Sequence, residues 1–244
     1  MITKNQIKYI KDLSRKAIRW KERKFVVEGE KLVSELLQSE VAIDEIYALA
    51  GWKEAHPNLP CTEISEKDLS RISQLKTPNK VLAVVYMFED ELNDDRSNGL
   101  TLFLDRINDP GNLGTIIRMA DWFGVNKIVC SENSVDVYNP KVIQSSMGSV
   151  YRIPVFYVNP EEYFLNYKKQ FPKNPIVGAA MEGEPLAEAK LPKEGLLVMG
   201  SESHGINQEV QAHLTQTVTI PNLGQAESLN VAVATGIILW EWTR

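Results

Sequence analysis

Three short stretches in the second half of the chain gather polar groups able to bind a ligand or assist a reaction. The first, INDPGNLGTIIRMADWFG (residues 107–124), opens on an Asp109-Pro-Gly tight turn, with Asn112 placed to cap the following helix and Arg118 about one and a half turns further in. Gly111 and Gly114 let the backbone approach a ligand or another segment closely. Taken alone, this is either a binding turn or a structural βα turn that happens to carry a surface arginine. The second stretch, GSESHGIN (residues 200–207), brackets Ser201, Glu202, Ser203 and His204 with two glycines, offering backbone donors at a helix start and one carboxylate. In the third, IPNLGQAESLNVAVATGIILW (residues 220–240), Ser228 and Asn230 stand at the mouth of a helix that Val231, Val233, Ile237, Ile238 and Trp240 make apolar nearly all round. Ser228 is read as the N-cap, which leaves Asn230 unexplained.

Spacing argues against several chemistries. GNLG is not the G-x-G-x-x-G of a dinucleotide site, which counts against a nucleotide-dependent dehydrogenase, and the P-loop pattern is absent. A hydrolase elbow requires glycine two residues before its nucleophile, where Ser203 has Ser201, and His204 has no acid partner in sequence. Cys61 and Cys130 stand singly, without CxxC or paired-His spacing, so neither a disulfide framework nor a metal is expected.

The scaffold follows from periodicity. From residue 100 onward, strand-like and helix-like segments alternate: LTLFLDR, NLGTIIRMADWF, NKIVC, a helix over 140–147, IPVFYV, EEYFLNYKKQ, PIVGAAM, GLLVMG, NQEVQAHLTQ, TVTIP and the final helix. That alternation predicts an α/β fold, with a mostly parallel sheet, helices on both faces and ligands beyond the carboxyl ends of the strands. Ahead of it, Ile7, Ile10, Leu13 and Ala17 or Ile18 recur at helical spacing and predict one basic amphipathic helix over 4–20. FVVEG is a short apolar stretch, GEKLVSELLQ a helix, IDEIYAL and CTEI strands, and VLAVVYMF a buried strand. Ser65 is the expected N-cap, three residues ahead of Asp68, of a helix ending near Leu75. The reading is a small α/β domain over 1–90, a linker over 91–99 within the polar run EDELNDDRSNG, and a larger domain over 100–244.

With 244 residues and 43% hydrophobic content, the chain is long enough for real cores. No run approaches the roughly 18 apolar residues of a membrane span, and MITKNQIKYIKD lacks the apolar core of a secretory signal, so a cytoplasmic protein is expected. The net charge of −5 hides an asymmetry. Residues 1–31 carry ten Lys and Arg against four Asp and Glu, leaving +6 there and −11 elsewhere. Such a segment raises the prospect of an anionic partner.

Together, NDPGNLGTIIRMA, LLVMGSESHGI and IPNLGQAESLNVAVATGIIL resemble, in order and spacing, the three signature motifs of the SpoU-type RNA 2'-O-ribose methyltransferases of the SPOUT superfamily. RKFVVEGEKLVSELL resembles that family's substrate-binding domain, related to an RNA-binding ribosomal-protein fold. One departure is Ser203, where the family more often has a small, Gly-like residue; a local backbone effect is expected. The resemblance implies a C-terminal domain tied in a deep trefoil knot, a fold that periodicity could not have suggested. It also implies a homodimer formed through the knotted domains, and S-adenosylmethionine held by Ala179, Met199, Gly200, Ile220 and Leu229. By motif position, Arg118 becomes the key catalytic residue, often proposed as general base, with Asn112, Glu202, Ser228 and Asn230 organising it and the substrate. An arginine whose pKa exceeds about 12 does not accept a proton, so a phosphate-gripping, oxyanion-stabilising Arg118 is preferred. Arg23 and Lys24 are the expected RNA-landing residues. Ribosomal RNA is the expected substrate, transfer RNA the alternative, and a non-catalytic ribosome-assembly factor the reading of a different class.

Overall fold

The structure, a computed structural model, describes residues 2–88, 92 and 99–244. Two sheets organise them. The first, of order β1-β4-β2-β3, comprises β1 (Lys24–Glu28), β2 (Ile43–Ala48), β3 (Thr62–Glu63) and β4 (Val81–Tyr86). β4 runs antiparallel to β1 and β2, and β3 lies parallel to β2. Its strands are apolar on both faces because both are covered. Val26, Leu82 and Val84 pack with α1 (Lys4–Asp12) and α5 (Glu66–Ile72), whereas Phe25, Val27, Ala83 and Val85 join the core that includes α3 (Glu30–Leu37).

The second sheet has the order β10-β8-β9-β5-β6-β7, with every pairing parallel. Its strands are β5 (Leu100–Leu104), β6 (Lys127–Ser131), β7 (Val155–Val158), β8 (Ile176–Pro185), β9 (Gly195–Met199) and β10 (Gln216–Thr219). Alternation along the strands divides the core. Leu102, Leu104, Ile128 and Leu197 pack with α6 (Pro110–Trp122), α7 (Pro140–Ser146) and α10 (Val231–Thr243). Phe103, Val129, Leu196 and Val198 pack on the other face with α8 (Pro160–Gln170) and α9 (Gln208–Gln211). This is the α/β architecture that the strand and helix alternation predicts.

Several boundaries differ from the sequence reading. The single helix predicted over 4–20 is two, α1 and α2 (Lys16–Glu22). Arg19 accounts for the break: its Nη1 donates to the carbonyls of Leu13 (3.1 Å) and Ser14 (2.6 Å), satisfying acceptors that a continuous helix would have used. α5 stops at Ile72 instead of near Leu75, because Ser73 is extended and its hydroxyl donates to the buried Glu28 carboxylate at 2.6 Å, as does the Gln74 amide at 2.7 Å. Ser65 caps α5 as expected, accepting from the Asp68 amide at 3.1 Å. α4 (Ala50–Ala55) has no counterpart in the sequence reading. Of the expected linker over 91–99, Leu92 and Gly99 are described and the rest lies outside the described residues.

The two sheets share one core, since residues of β1, α3, β5, α6 and α7 belong to a single hydrophobic cluster. Polar ties reinforce the junction. Arg19 Nη2 meets Asp136 at 2.6 Å with both side chains 2–3% exposed, Gln144 Nε2 donates to the Glu28 carbonyl at 2.9 Å, and Arg152 bridges Glu35 and Asp121, each at 2.8 Å. Removing one member of a buried ion pair leaves an uncompensated charge, at a cost of about 3–5 kcal/mol. Asp136→Asn should therefore lower the unfolding free energy measured in urea by that amount. The exposed Arg15–Asp12 pair, at 2.6 Å, should contribute less than about 1 kcal/mol when broken by Arg15→Ala.

Candidate active site

The site forms where neighbouring strands release their loops. β5 and β9 pair in register from Leu100↔Gly195 to Leu104↔Met199, so the chain leaves both strands at the same height. The buried Asp105 then ties the two exits together: its amide donates to the Met199 carbonyl (2.8 Å) and its carboxylate accepts from the Asn207 amide (2.7 Å). Arg106, with φ 56, turns the chain there. Gly200 admits no side chain, since a Cβ would lie 2.1 Å from the Gly205 carbonyl carbon and 2.2 Å from the Ile206 amide nitrogen. Residues 201–205 fold back on themselves, paired by reciprocal backbone bonds between Ser201 and Gly205. This is a closed turn and not the helix start read from the sequence, because α9 begins only at Gln208. Ser203 does not occupy the left-handed region, so its departure from glycine is accommodated without backbone strain.

α6 starts earlier than expected. Its N-cap is Asp109, not Asn112: the Asp109 side chain accepts from the Asn112 amide at 2.9 Å, and Pro110 takes the first helical position, where no N–H is needed. Arg118 accordingly lies in the third turn of α6, deeper than the one and a half turns expected. Gly114 serves packing instead of ligand approach, since a Cβ there would meet Ser145 Cβ at 2.5 Å and the Val142 carbonyl at 2.6 Å, both on α7. The reassigned cap leaves the Asn112 side chain free for another partner.

That partner is Asn230, which also corrects the reading of Ser228 as the cap of α10. Asn230 Oδ1 accepts from the amides of Ala232 (3.0 Å) and Val233 (3.3 Å), capping the helix. Its Nδ2 donates to Asn112 Oδ1 at 2.9 Å and to Glu202 Oε1 at 2.6 Å. The Glu202 carboxylate also accepts from the Val231 amide at 3.3 Å, which places its charge at the positive end of the helix. One amide thus joins all three sequence stretches.

Beside this knot of hydrogen bonds is a cavity of about 810 Å³. Ala179, Met199, Gly200, Ile220 and Leu229, the five expected cofactor residues, all line it, as do Glu202 and Ser228. Asn112, Asn230 and Arg118 are not among its lining residues. Arg118 is exposed and, among the described residues, makes no hydrogen bond or ion pair; it shares the outer ridge of α6 with Thr115 and Trp122. The sequence reading missed part of the wall. Met181, at the end of the PIVGAAM stretch, lines the cavity, Glu182 joins it because β8 runs on to Pro185, and Thr217 and Thr219 join it from β10. Register is shifted between Thr217 and Val218, a bulge that no apolar pattern signals.

The cavity falls within the range of small-molecule sites, with apolar walls and a few polar groups. Those features suit S-adenosylmethionine: apolar side chains for an adenine and thioether body, backbone turns at residues 200–205 and 220–223, and the Glu202 carboxylate toward a cationic ligand. No three His, Cys, Asp or Glu side chains cluster as a metal site among the described residues.

An α/β protein with three strand-end loops converging on such a cavity has solved counterparts. The model of the SpoU rRNA Methylase family matches residues 99–240, and that of an MRM3-like substrate binding domain matches residues 4–83. The chain belongs to the SpoU family. It is 34% identical over 242 residues to the 23S rRNA (guanosine(2553)-2'-O)-methyltransferase RlmP of Bacillus subtilis, covering 97% of this chain and 96% of that one. The S-adenosylmethionine-bound rRNA methyltransferase of Sinorhizobium meliloti superposes with a TM-score of 0.88 at 30% identity, covering 99% of this chain and 95% of that one. The SpoU methyltransferase AviRb of Streptomyces viridochromogenes, in complex with the same cofactor, gives 0.87 at 25%, covering 99% and 97%.

Asn230 can be tested directly. Asn230→Ala should destabilise by about 1 kcal/mol through the lost cap. Asn230→Asp keeps a capping oxygen but sets a carboxylate against Glu202. One of the two acids then has a raised folded-state pKa, so relative to wild type the variant's stability should be retained near pH 4 and fall as pH rises toward 7, a difference read from thermal melts of both proteins across pH.

Proposed function

We propose that the protein transfers a methyl group from S-adenosylmethionine to a ribose 2'-hydroxyl of ribosomal RNA. The observation that carries this reading is the convergence of Asn112, Glu202 and Asn230 through one amide at the rim of the cavity. Family membership and the named activities of its relatives support it. In this reading residues 100–244 perform the transfer, residues 1–90 hold the RNA, and residues 91–99 link them.

When bound, S-adenosylmethionine supplies an electrophilic methyl group on a sulfonium. The chain's own task is mainly alignment, which can account for a large part of the acceleration of such a displacement. Ala179, Met199, Gly200, Ile220 and Leu229 hold the cofactor through backbone groups and apolar contact. Asn112 and Asn230 fix Glu202 and, with Ser228, present the ribose. Arg118 stays charged, grips a phosphate next to the target ribose and stabilises the oxygen as its proton leaves late, to Glu202, water or phosphate. Being unpaired among the described residues, it is available to that phosphate.

The same reading includes the trefoil knot and a homodimer, acting in the cytoplasm. Packing of α10 against α6, where Gly236 abuts Met119 Sδ, is consistent with a C-terminal segment held against the start of the same domain. α10 buries Val231, Ile238, Leu239 and Trp242 but leaves Val233, Ile237 and Trp240 between 38% and 60% exposed, and Trp122 on α6 is 84% exposed. A second copy is the natural cover for that apolar ridge, and it would bring Arg118 to the interface. No helix among the described residues is long and apolar enough to cross a membrane.

Methyl incorporation into ribosomal RNA tests the reading. Arg118→Ala should lose about 10²–10³-fold in rate, the scale for removing one charge-stabilising donor, with cofactor affinity by calorimetry unchanged. Arg118→Lys should also lose most activity, since a point charge does not replace a bidentate grip. Full activity in Arg118→Ala would refute the assignment. Val233→Glu with Trp240→Glu should convert the dimer to monomer in sedimentation velocity.

A further inference from the structure

A second surface lies outside the cavity and its hydrogen-bonded rim. Trp20, on α2, is 42% exposed, although an indole normally finds cover, and it packs edge-on against Tyr138 with ring centroids 6.1 Å apart. Arg23, in the left-handed conformation that ends α2, sets its guanidinium 5.8 Å from the indole centroid. Among the described residues no carboxylate pairs Arg23. The next residue, Lys24, is cross-strand from Tyr86, and its ammonium lies 4.7 Å from that ring, which is 40% exposed. Lys24 is partly neutralised by Asp44 at 2.7 Å, so Arg23 is the freer charge.

The placement of this patch gives it meaning. Tyr138 belongs to the loop after β6, on the strand-end edge of the second sheet. Val135 of that loop donates to the carbonyl of Ile107, in the loop that leads into α6 and Asn112. The indole therefore stands at the junction of the two sheets, beside the edge where the catalytic loops emerge. Arg19, one residue before it, is clamped in the buried pair with Asp136, so α2 cannot drift relative to that edge.

Two exposed aromatic rings interleaved with cations form the arrangement that binds unpaired nucleic acid, in which bases stack on rings and phosphates meet cations. We propose that Trp20 is a stacking seat for one unpaired nucleobase of the RNA, with Arg23 on the adjoining phosphate. The basic charge of residues 1–31 already makes Arg23 an expected RNA-landing residue; the seat adds an aromatic specificity element that selects single-stranded or looped RNA over duplex. The inference rests on that reading for its RNA substrate, and it concerns binding instead of transfer.

The probe is a single-stranded 12-mer of adenylate, with an RNA duplex of equal length as control, titrated against the full chain by anisotropy. Trp20→Ala should weaken single-strand binding about tenfold, within the range for loss of one stacked base, with duplex binding unchanged. Trp20→Phe should restore most of the affinity. Trp20→Leu keeps apolar bulk against Tyr138 without an aromatic face, and should bind as poorly as Trp20→Ala while melting like wild type. In methyl transfer, both non-aromatic variants should raise KM for RNA with little change in kcat. Equal single-strand affinity of wild type and Trp20→Leu would overturn the seat, as would equal losses on duplex and single strand. Calorimetry with S-adenosylmethionine separates the two claims: wild type that fails to bind the cofactor defeats the methyltransferase reading, whereas a seat failure leaves cofactor binding intact.

Discussion

Everything at the catalytic edge depends on one side chain having both a donor and an acceptor to use. Asn230 spends its carbonyl on the first turn of α10 and its amide on Asn112 and Glu202. Aspartate would cap the helix equally well but repel Glu202; serine would cap but lacks the reach and the second hydrogen to join two partners. Asparagine alone among the good caps satisfies both demands. The polar cluster lies at the mouth of a largely buried helix because the helix start is the tie point for loops that come from β5, β9 and β10.

A second constraint fixes how the two sheets are placed relative to one another. The N-terminal sheet does not hang from the second as a loose module: a shared apolar core, the buried Arg19–Asp136 pair and the Arg152 bridge join them. Burying an ion pair is a poor way to gain net stability, but it is an effective way to fix register, because any other arrangement leaves both charges uncompensated. The charge count in the basic N-terminal segment has to be read in that light. Arg19 is consumed by the junction and Lys24 is partly neutralised by Asp44, so the anion-binding capacity of residues 1–31 is smaller than +6 suggests.

Much of this was legible in the sequence. Strand and helix alternation gave the parallel sheet, and the three motifs gave the site, because strand ends in such sheets collect ligand-binding loops whatever the ligand. What escaped was set by contacts distant in sequence. The split between α1 and α2 depends on Asp136 drawing Arg19 inward, more than a hundred residues away. The caps of α6 and α10 were each misplaced by two or three residues because several capping residues stand in a row, and the tertiary partner decides among them: Asn112 is excused from capping by Asp109 and engaged by Asn230. The tail of β8 beyond PIVGAAM carries no strand signal in the sequence, because Glu182, Gly183 and Glu184 are exposed and lack an apolar alternation.

The most direct test follows the label. Wild-type protein, incubated with ribosomal RNA and methyl-labelled S-adenosylmethionine, should place the label in a dinucleotide that resists alkaline hydrolysis, since a 2'-O-methyl group removes the hydroxyl that attacks the neighbouring phosphate. Label recovered in free bases or in alkali-labile mononucleotides, or none transferred at all, would contradict the account.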